Sequence, residues 1–235
     1  MTPPAGPVDA PAILDIEDVS KEYGALRPLR VKTLRVAAGE SIAVVGLDQI
    51  AAEMAVNLIT GATLPTAGRI RVFGRDTADI LDATDWLATV DRFGIVSDRA
   101  ALLDVLTPLQ NLAMPFTLDV EPLAAETRDR AESLAREAGL DAEIWGTAIG
   151  ALDAAASARV RFGRALALEP AILLLDHASA RLHPGQASAF ARTIRSAAAR
   201  RGLATLALTA DTDFARAVAD RVLRWEPASG RLRDR

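Results

Sequence analysis

An α/β fold built on a mostly parallel central sheet is what three observations predict for this 235-residue chain. Short continuous apolar runs alternate with segments of helical period, the pattern of a sheet covered by helices on both faces. Hydrophobic residues make up 50% and aromatics only 4%, with alanine and leucine dominating, so the composition is globular and helix-rich. The length suits one substantial domain with room for a small insertion.

The start, MTPPAGPVDAPA, is Pro/Ala-rich with neither a positive n-region nor an apolar h-region. Residues 1–12 therefore read as a disordered extension rather than a signal peptide. Residues 13–19 alternate apolar and polar and predict an edge strand, as do 29–36, which gives the fold an antiparallel β edge. Ser41 to Val45 is a continuous apolar strand of the central-sheet kind, and 51–59 favours helix. Gly68 and Gly74 bracket a strand, and Ile95-Val96 ends another. From about 107 to 150 the character turns helical; 127–137 is a charge-laced helix stopped by Gly139. That stretch reads as a helical subdomain inserted in a single domain spanning 13–235.

Residues 153–168 predict a helix closed by Pro170, and 171–176 a buried strand ending in a carboxylate. Pro184 opens a helix that Gly202 ends. A strand at 203–209, a helix at 213–219 and a strand at 221–225 complete the alternation. Trp86, Trp145 and Trp225 read as packing residues.

Several classes are excluded or disfavoured. A net charge of −4 leaves no basic footprint for nucleic acid. The absence of cysteine removes disulfides and thiolate metal sites. No apolar run approaches the ~20 residues of a membrane helix, so direct insertion is not expected. The two histidines, His177 and His183, lie close in sequence but match no familiar ligand spacing, and they read as exposed loop residues with no metal.

The chemically telling stretch follows the strand at 41–45. Gly39 to Gly46 reads as turn, strand and the first glycine of a phosphate-binding loop, which should continue with glycines, a lysine and a hydroxyl residue. The chain instead continues Leu47-Asp48-Gln49-Ile50-Ala51-Ala52-Glu53.

The order of segments resembles the nucleotide-binding domain of ATP-binding cassette (ABC) transporters, a P-loop NTPase-like fold. The likeness runs from about residue 13 to 232. It is carried by LITGATLPTAGRIRVFGRD (58–76), LTPLQNLAMPF (106–116), RALALEPAILLLD (164–176) and DFARAVADRVLRW (213–225). The second of these is most similar to cassettes of the lipoprotein-release and macrolide-export kind. By this resemblance the phosphate-binding lysine falls on Ala52 and the magnesium-ligating hydroxyl on Glu53. Two loop glycines fall on Gln49 and Ala51, and the Q-loop glutamine on Asp98. The Leu-Ser-Gly-Gly-Gln signature reads Leu152-Asp153-Ala154-Ala155-Ala156. The general-base glutamate falls on His177, the D-loop aspartate on His183 and the switch histidine on Ala210. Tyr23 at the adenine-stacking place, Gly46, and Asp176 at the Walker B position survive.

A charge-assisted hydrogen bond contributes about 1.5–3 kcal/mol, so losing the lysine, the metal ligand and several donors removes ~6 kcal/mol, roughly four decades of affinity. The same replacement precedes two helices: Leu47-Asp48 and Leu152-Asp153. Aspartate is a favoured N-cap, so each helix is expected to cap itself instead of demanding an external anion.

The expected function is a catalytically inactive (pseudo-ATPase) cassette, a structural or regulatory subunit of a membrane transporter complex. It would have no catalytic residue and no metal, and would take up ATP and magnesium only if the altered pocket still binds. The resemblance implies a transmembrane permease as partner, a second, competent cassette beside it, and a cytoplasmic place at the inner face of the membrane. Docking is expected around 98–116, with Leu103, Leu106 and Leu109 as candidate contacts. The alternatives are a soluble scaffold or regulatory protein no longer tied to transport and, third, an active transport ATPase.

Overall fold

In the computed structural model, residues 12–22, 24 and 27–234 are described. Tyr23 and residues 1–11 of the extension expected at 1–12 lie outside them, while Ala12 already belongs to the first strand. β1 (Ala12–Lys21) and β2 (Leu29–Ala37) form an antiparallel pair, and β3 (Ser41–Val45) starts the central sheet. After α1 (Gln49–Ile59), β4 (Ala67–Val72) returns to pair with β1, and the two-residue β5 (Arg75–Asp76) closes a four-stranded antiparallel sheet of order β2-β1-β4-β5.

Next come α2 (Ala83–Val90), β6 (Phe93–Ser97), and the helices α3 (Pro108–Ala113), α4 (Ala125–Glu137) and α5 (Ala154–Leu166). β7 (Ile172–Asp176), α6 (Pro184–Arg201), β8 (Ala204–Thr209), α7 (Thr212–Val218), β9 (Arg221–Glu226) and β10 (Arg231–Asp234) finish the chain. The main sheet has order β10-β9-β3-β8-β7-β6, with every pair parallel except β9 and β10.

Period-two alternation explains why its central strands are predominantly apolar. Ile42, Val44, Ile172, Leu174, Leu206 and Leu208 face one core, shared with α1 and the antiparallel sheet. Ala43, Val45, Leu173, Leu175 and Ala207 face a second core against α3 to α7. Strands buried on both sides are mostly apolar, which is why they read as apolar runs, with Ser41, Thr205 and Thr209 as buried polar exceptions.

Three short elements differ from the sequence expectation. α2 has no buried residue and is held by its ends: Asp82 accepts from the Asp85 backbone N–H at 2.9 Å, and Trp86 Nε1 donates to the Thr60 carbonyl at 3.1 Å. β5 and β10 are antiparallel edge strands too short and too polar for periodicity to reveal. The packing reading of the tryptophans agrees with their hydrogen bonds, Trp145 Nε1 donating to Leu140 O and Trp225 Nε1 to Arg30 O.

Phe190 of α6 anchors the second core, 6.0 Å from the Phe162 ring in an edge-on arrangement and 6.4 Å from Phe214. Phe190→Ala should lower unfolding free energy by about 3–5 kcal/mol in chemical denaturation, whereas Leu81→Ala on the surface should stay within about 0.5 kcal/mol.

Candidate functional site

Parallel strands deliver their C-terminal ends to one edge, where ligands bind in open α/β sheets. Here β3, β8, β7 and β6 are successive neighbours. Their ends present Gly46, Ala210, Asp176-His177 and Ser97-Asp98-Arg99 together.

Gly46 turns the chain with φ +102, and a Cβ there would meet the Trp225 carbonyl at 3.3 Å, so the turn itself requires glycine. Gln49 and Ala51 lie inside α1, so the phosphate loop's glycine positions have been absorbed into a helix without strain. Asp48 caps that helix, its Oδ1 accepting from the Ala51 N–H at 2.8 Å. Ala52 is fully buried in the core, while Glu53 is exposed beside the strand ends.

Asp153 caps α5 in nearly the same backbone geometry, its Oδ1 accepting from the Ala156 N–H at 2.7 Å. Its second oxygen accepts from Gln186 Nε2 at 3.3 Å. Leu152 is half-buried, Ala154 exposed, and Ala155 and Ala156 pack inward.

The residue that sequence reasoning missed is Arg99. Asp176, only 2% exposed, accepts on Oδ2 from Ser97 Oγ at 3.1 Å and from Arg99 Nη2 at 2.5 Å. The other guanidinium edge, Nη1, donates to Glu53 Oε2. Partial burial alone would lower the Arg99 pKa, but hydrogen bonds and attraction from Asp176 and Glu53 outweigh it and raise it, so the guanidinium stays charged. The sequence carried only part of the signal: Arg99 follows the strand that pairs with the one ending in Asp176.

Around this bridge, Asp98 accepts weakly from Gln49 Nε2 at 3.4 Å and faces Arg181 Nε at 3.7 Å. The loop is pinned from below, since Arg161 Nε donates to Ala100 O and Arg164 Nη1 to Ala101 O, both at 2.7 Å. Burial depresses the pKa of both arginines.

His177 is not an exposed loop residue as expected: it is 9% exposed, takes a φ of +45, and its Nε2 has no partner among the described residues. Its backbone N–H donates to Leu208 O, which fixes it under the sheet edge. His183 is exposed and opens α6, its N–H donating to Gln186 Oε1. Ala210 is exposed.

The three leucines of the expected docking segment separate. Leu103 is 46% exposed and Leu106 half-buried, but Leu109 is buried in the core, because it lies on the inner face of α3. Leu109 is therefore a packing residue and no contact. Val105, at 86% exposed, is the apolar tip the sequence reading passed over. Asn111 holds this loop rigid: its Oδ1 accepts from Leu103 N–H, and its Nδ2 donates to Leu103 O and Thr107 O.

A magnesium triphosphate does not fit these residues as arranged. The carboxylates of Glu53 and Asp176 are already bridged by a guanidinium, and both helix starts are capped by the chain's own aspartates.

Fold and strand-end site together define a nucleotide-binding-cassette class of protein. The family described as ABC transporter matches residues 29–180, and the chain belongs to that family. The methionine import ATP-binding protein MetN of Brucella abortus is 29% identical over 223 residues, 92% of this chain and 58% of its own length. MetN of Caulobacter vibrioides is 33% identical over 212 residues, 89% of this chain and 63% of its own. The chain thus spans about three-fifths of these relatives. The cbiO1 structure from Clostridium perfringens, part of the transporter complex cbiONQ, superposes with a TM-score of 0.78 at 20% identity, covering 94% of this chain and 87% of that one. The cassette MJ0796, in a dimeric post-hydrolysis state with ADP and Pi, gives 0.77 at 22% identity, covering 94% and 97%. These two likenesses establish the P-loop cassette fold.

The relatives correct one expectation. Proteins matching almost the whole chain are named ATP-binding proteins of an import system, which points to an ATPase subunit and overturns the reading of the chain as no enzyme. That reading rested on adding up the groups lost from the family's motifs.

Removing the Asp48 cap should cost about 0.5–2 kcal/mol. Asp48→Ala should therefore lower the denaturation midpoint, while Asp48→Asn, which still caps, should restore most of it. Equal losses in the two variants would show that charge, and not capping, holds the start of α1.

Proposed function

We propose that this chain is the cassette subunit of a membrane transporter. It would be held at the cytoplasmic face by a transmembrane permease, with a structural or regulatory part played beside a second cassette. The observation that carries this reading is the paired closure of the two helix starts. In the family, one of these belongs to the nucleotide-gripping surface and the other to the signature surface that meets a partner cassette. Asp48 and Asp153 fill both in the same way.

A helix start offers free N–H groups and the positive end of a dipole to an anion. A carboxylate already seated there takes one of the donors and repels phosphate. The resting state is thus set by the chain's own side chains, and nucleotide would have to compete with them. That role does not require hydrolysis to be absent. It makes the state of this site, and of the loop attached to it, the thing the permease reads.

The mechanical connection supports this reading. Arg99 at the site and Leu103 and Val105 at the apolar tip belong to one short loop, clamped by Arg161, Arg164 and Asn111. A permease segment resting on Leu103 and Val105 would be coupled rigidly to the carboxylate bridge. Methionine import is a property of the named relatives, and the substrate class here is set by the permease.

Co-expression with candidate ABC permease subunits from the same genome tests the placement. Leu103→Asp and Val105→Asp together should reduce the co-purified complex by tenfold or more with no change in the cassette's Tm. Undiminished complex would remove the docking tip from the account, and failure of the natural chain to associate with any permease would remove the subunit role.

A further inference from the structure

We infer that Arg99 is a tethered internal cation held between Glu53 and Asp176, and that with the guanidinium in place these residues do not fit a divalent metal. It makes the folded site metal-independent and admits metal only when the guanidinium withdraws. This deepens the reading above and rests on it only in treating this sheet edge as the phosphate end of the cassette.

Asp176 is a carboxylate almost wholly removed from water at the end of a buried strand. A buried charge of that kind requires a partner of opposite sign or several hydrogen bonds. Ser97 supplies one bond at 3.1 Å, and Oδ1 has no partner among the described residues, so the countercharge falls to Arg99. Glu53 adds a second negative charge from α1, and two carboxylates converging on one point disfavour each other without a cation between them.

The guanidinium suits this place because its planar fork offers separate N–H edges, one used by each carboxylate. Its backbone is fixed by the same residues: the Arg99 N–H donates to Ser97 Oγ at 3.3 Å, and that hydroxyl donates to Asp176. Ser97, Asp176 and Arg99 therefore form a closed ring of hydrogen bonds. The neighbouring cations are engaged elsewhere, Arg181 with Asp98 and Arg161 with a backbone carbonyl, so neither stands ready to replace Arg99. A divalent ion approaching Asp176 would meet a fixed positive charge and would have to expel it.

Thermal melts of the full chain in magnesium chloride alone, with ionic strength held constant, test this without nucleotide or permease. The natural protein should show no magnesium-dependent shift in Tm. Arg99→Gln should melt roughly 5–10 °C lower and gain a saturable rise at millimolar magnesium, returning about half of the loss. Adding Asp176→Asn to that variant should abolish the rise. If Arg99→Gln does not fold, Arg99→Lys keeps a charge without the fork and should show a smaller rise of the same kind. A magnesium shift in the natural protein would overturn the inference. So would an Arg99→Gln variant, or in its place Arg99→Lys, that is indifferent to magnesium, since Arg99 would then be an ordinary ion pair. Failure of permease association would leave these outcomes untouched, so the two readings fall separately.

Discussion

A carboxylate buried at the end of β7 must be given a positive charge, and the site is organised around meeting that need. Asp176 is where five parallel strands and two cores place it, and no side chain of β7 itself can neutralise it. The charge arrives from β6, one strand over, through a loop that Ser97 ties back to the same carboxylate. Because the loop is clamped onto α3 and α5, electrostatics at the sheet edge and packing of the helical region are one mechanical unit. Arg99 is about one-third exposed, so solvent screens part of its attraction, and hydrogen-bond geometry carries much of the specificity.

The two helix starts obey a second constraint of the same kind. Free N–H groups at the head of a helix need an acceptor, and a chain without a permanent anion must provide its own. Asp48 and Asp153 do so with matching geometry, and in each case the capped helix then buries alanines where the family has glycine, lysine or polar groups. Ala52 faces the core, so Ala52→Lys would meet burial before it met phosphate. Restoring old chemistry here takes a rearranged loop and more than one exchanged side chain.

Much of this was legible in the sequence. The central strands, α1, α5 and α6 were readable because two-sided burial makes strands largely apolar and because Asp, Pro and Gly mark the helix ends. The caps at Asp48 and Asp153 could be read from residue type and position alone. α2 and the edge strands β5 and β10 escaped because they bury little and are held by single hydrogen bonds and sheet pairing, which leave no periodic trace. Leu109 was misplaced because an apolar segment looks alike whether it faces a partner or its own core. Arg99 was missed because its meaning lies in a pairing with Glu53, 46 positions earlier, and Asp176, 77 positions later. His177 looked like a loop residue, and only the register of β7 against β8 shows it to be covered.

The most direct measurement of the central claim is a double-mutant cycle on Arg99 and Asp176, read by equilibrium denaturation at neutral pH. A guanidinium that serves as the countercharge of a buried carboxylate predicts a coupling of about 1–3 kcal/mol, with the double replacement less damaging than the sum of the singles. A coupling below about 0.3 kcal/mol would mean that the two residues are energetically independent, and the site would have to be explained without the bridge.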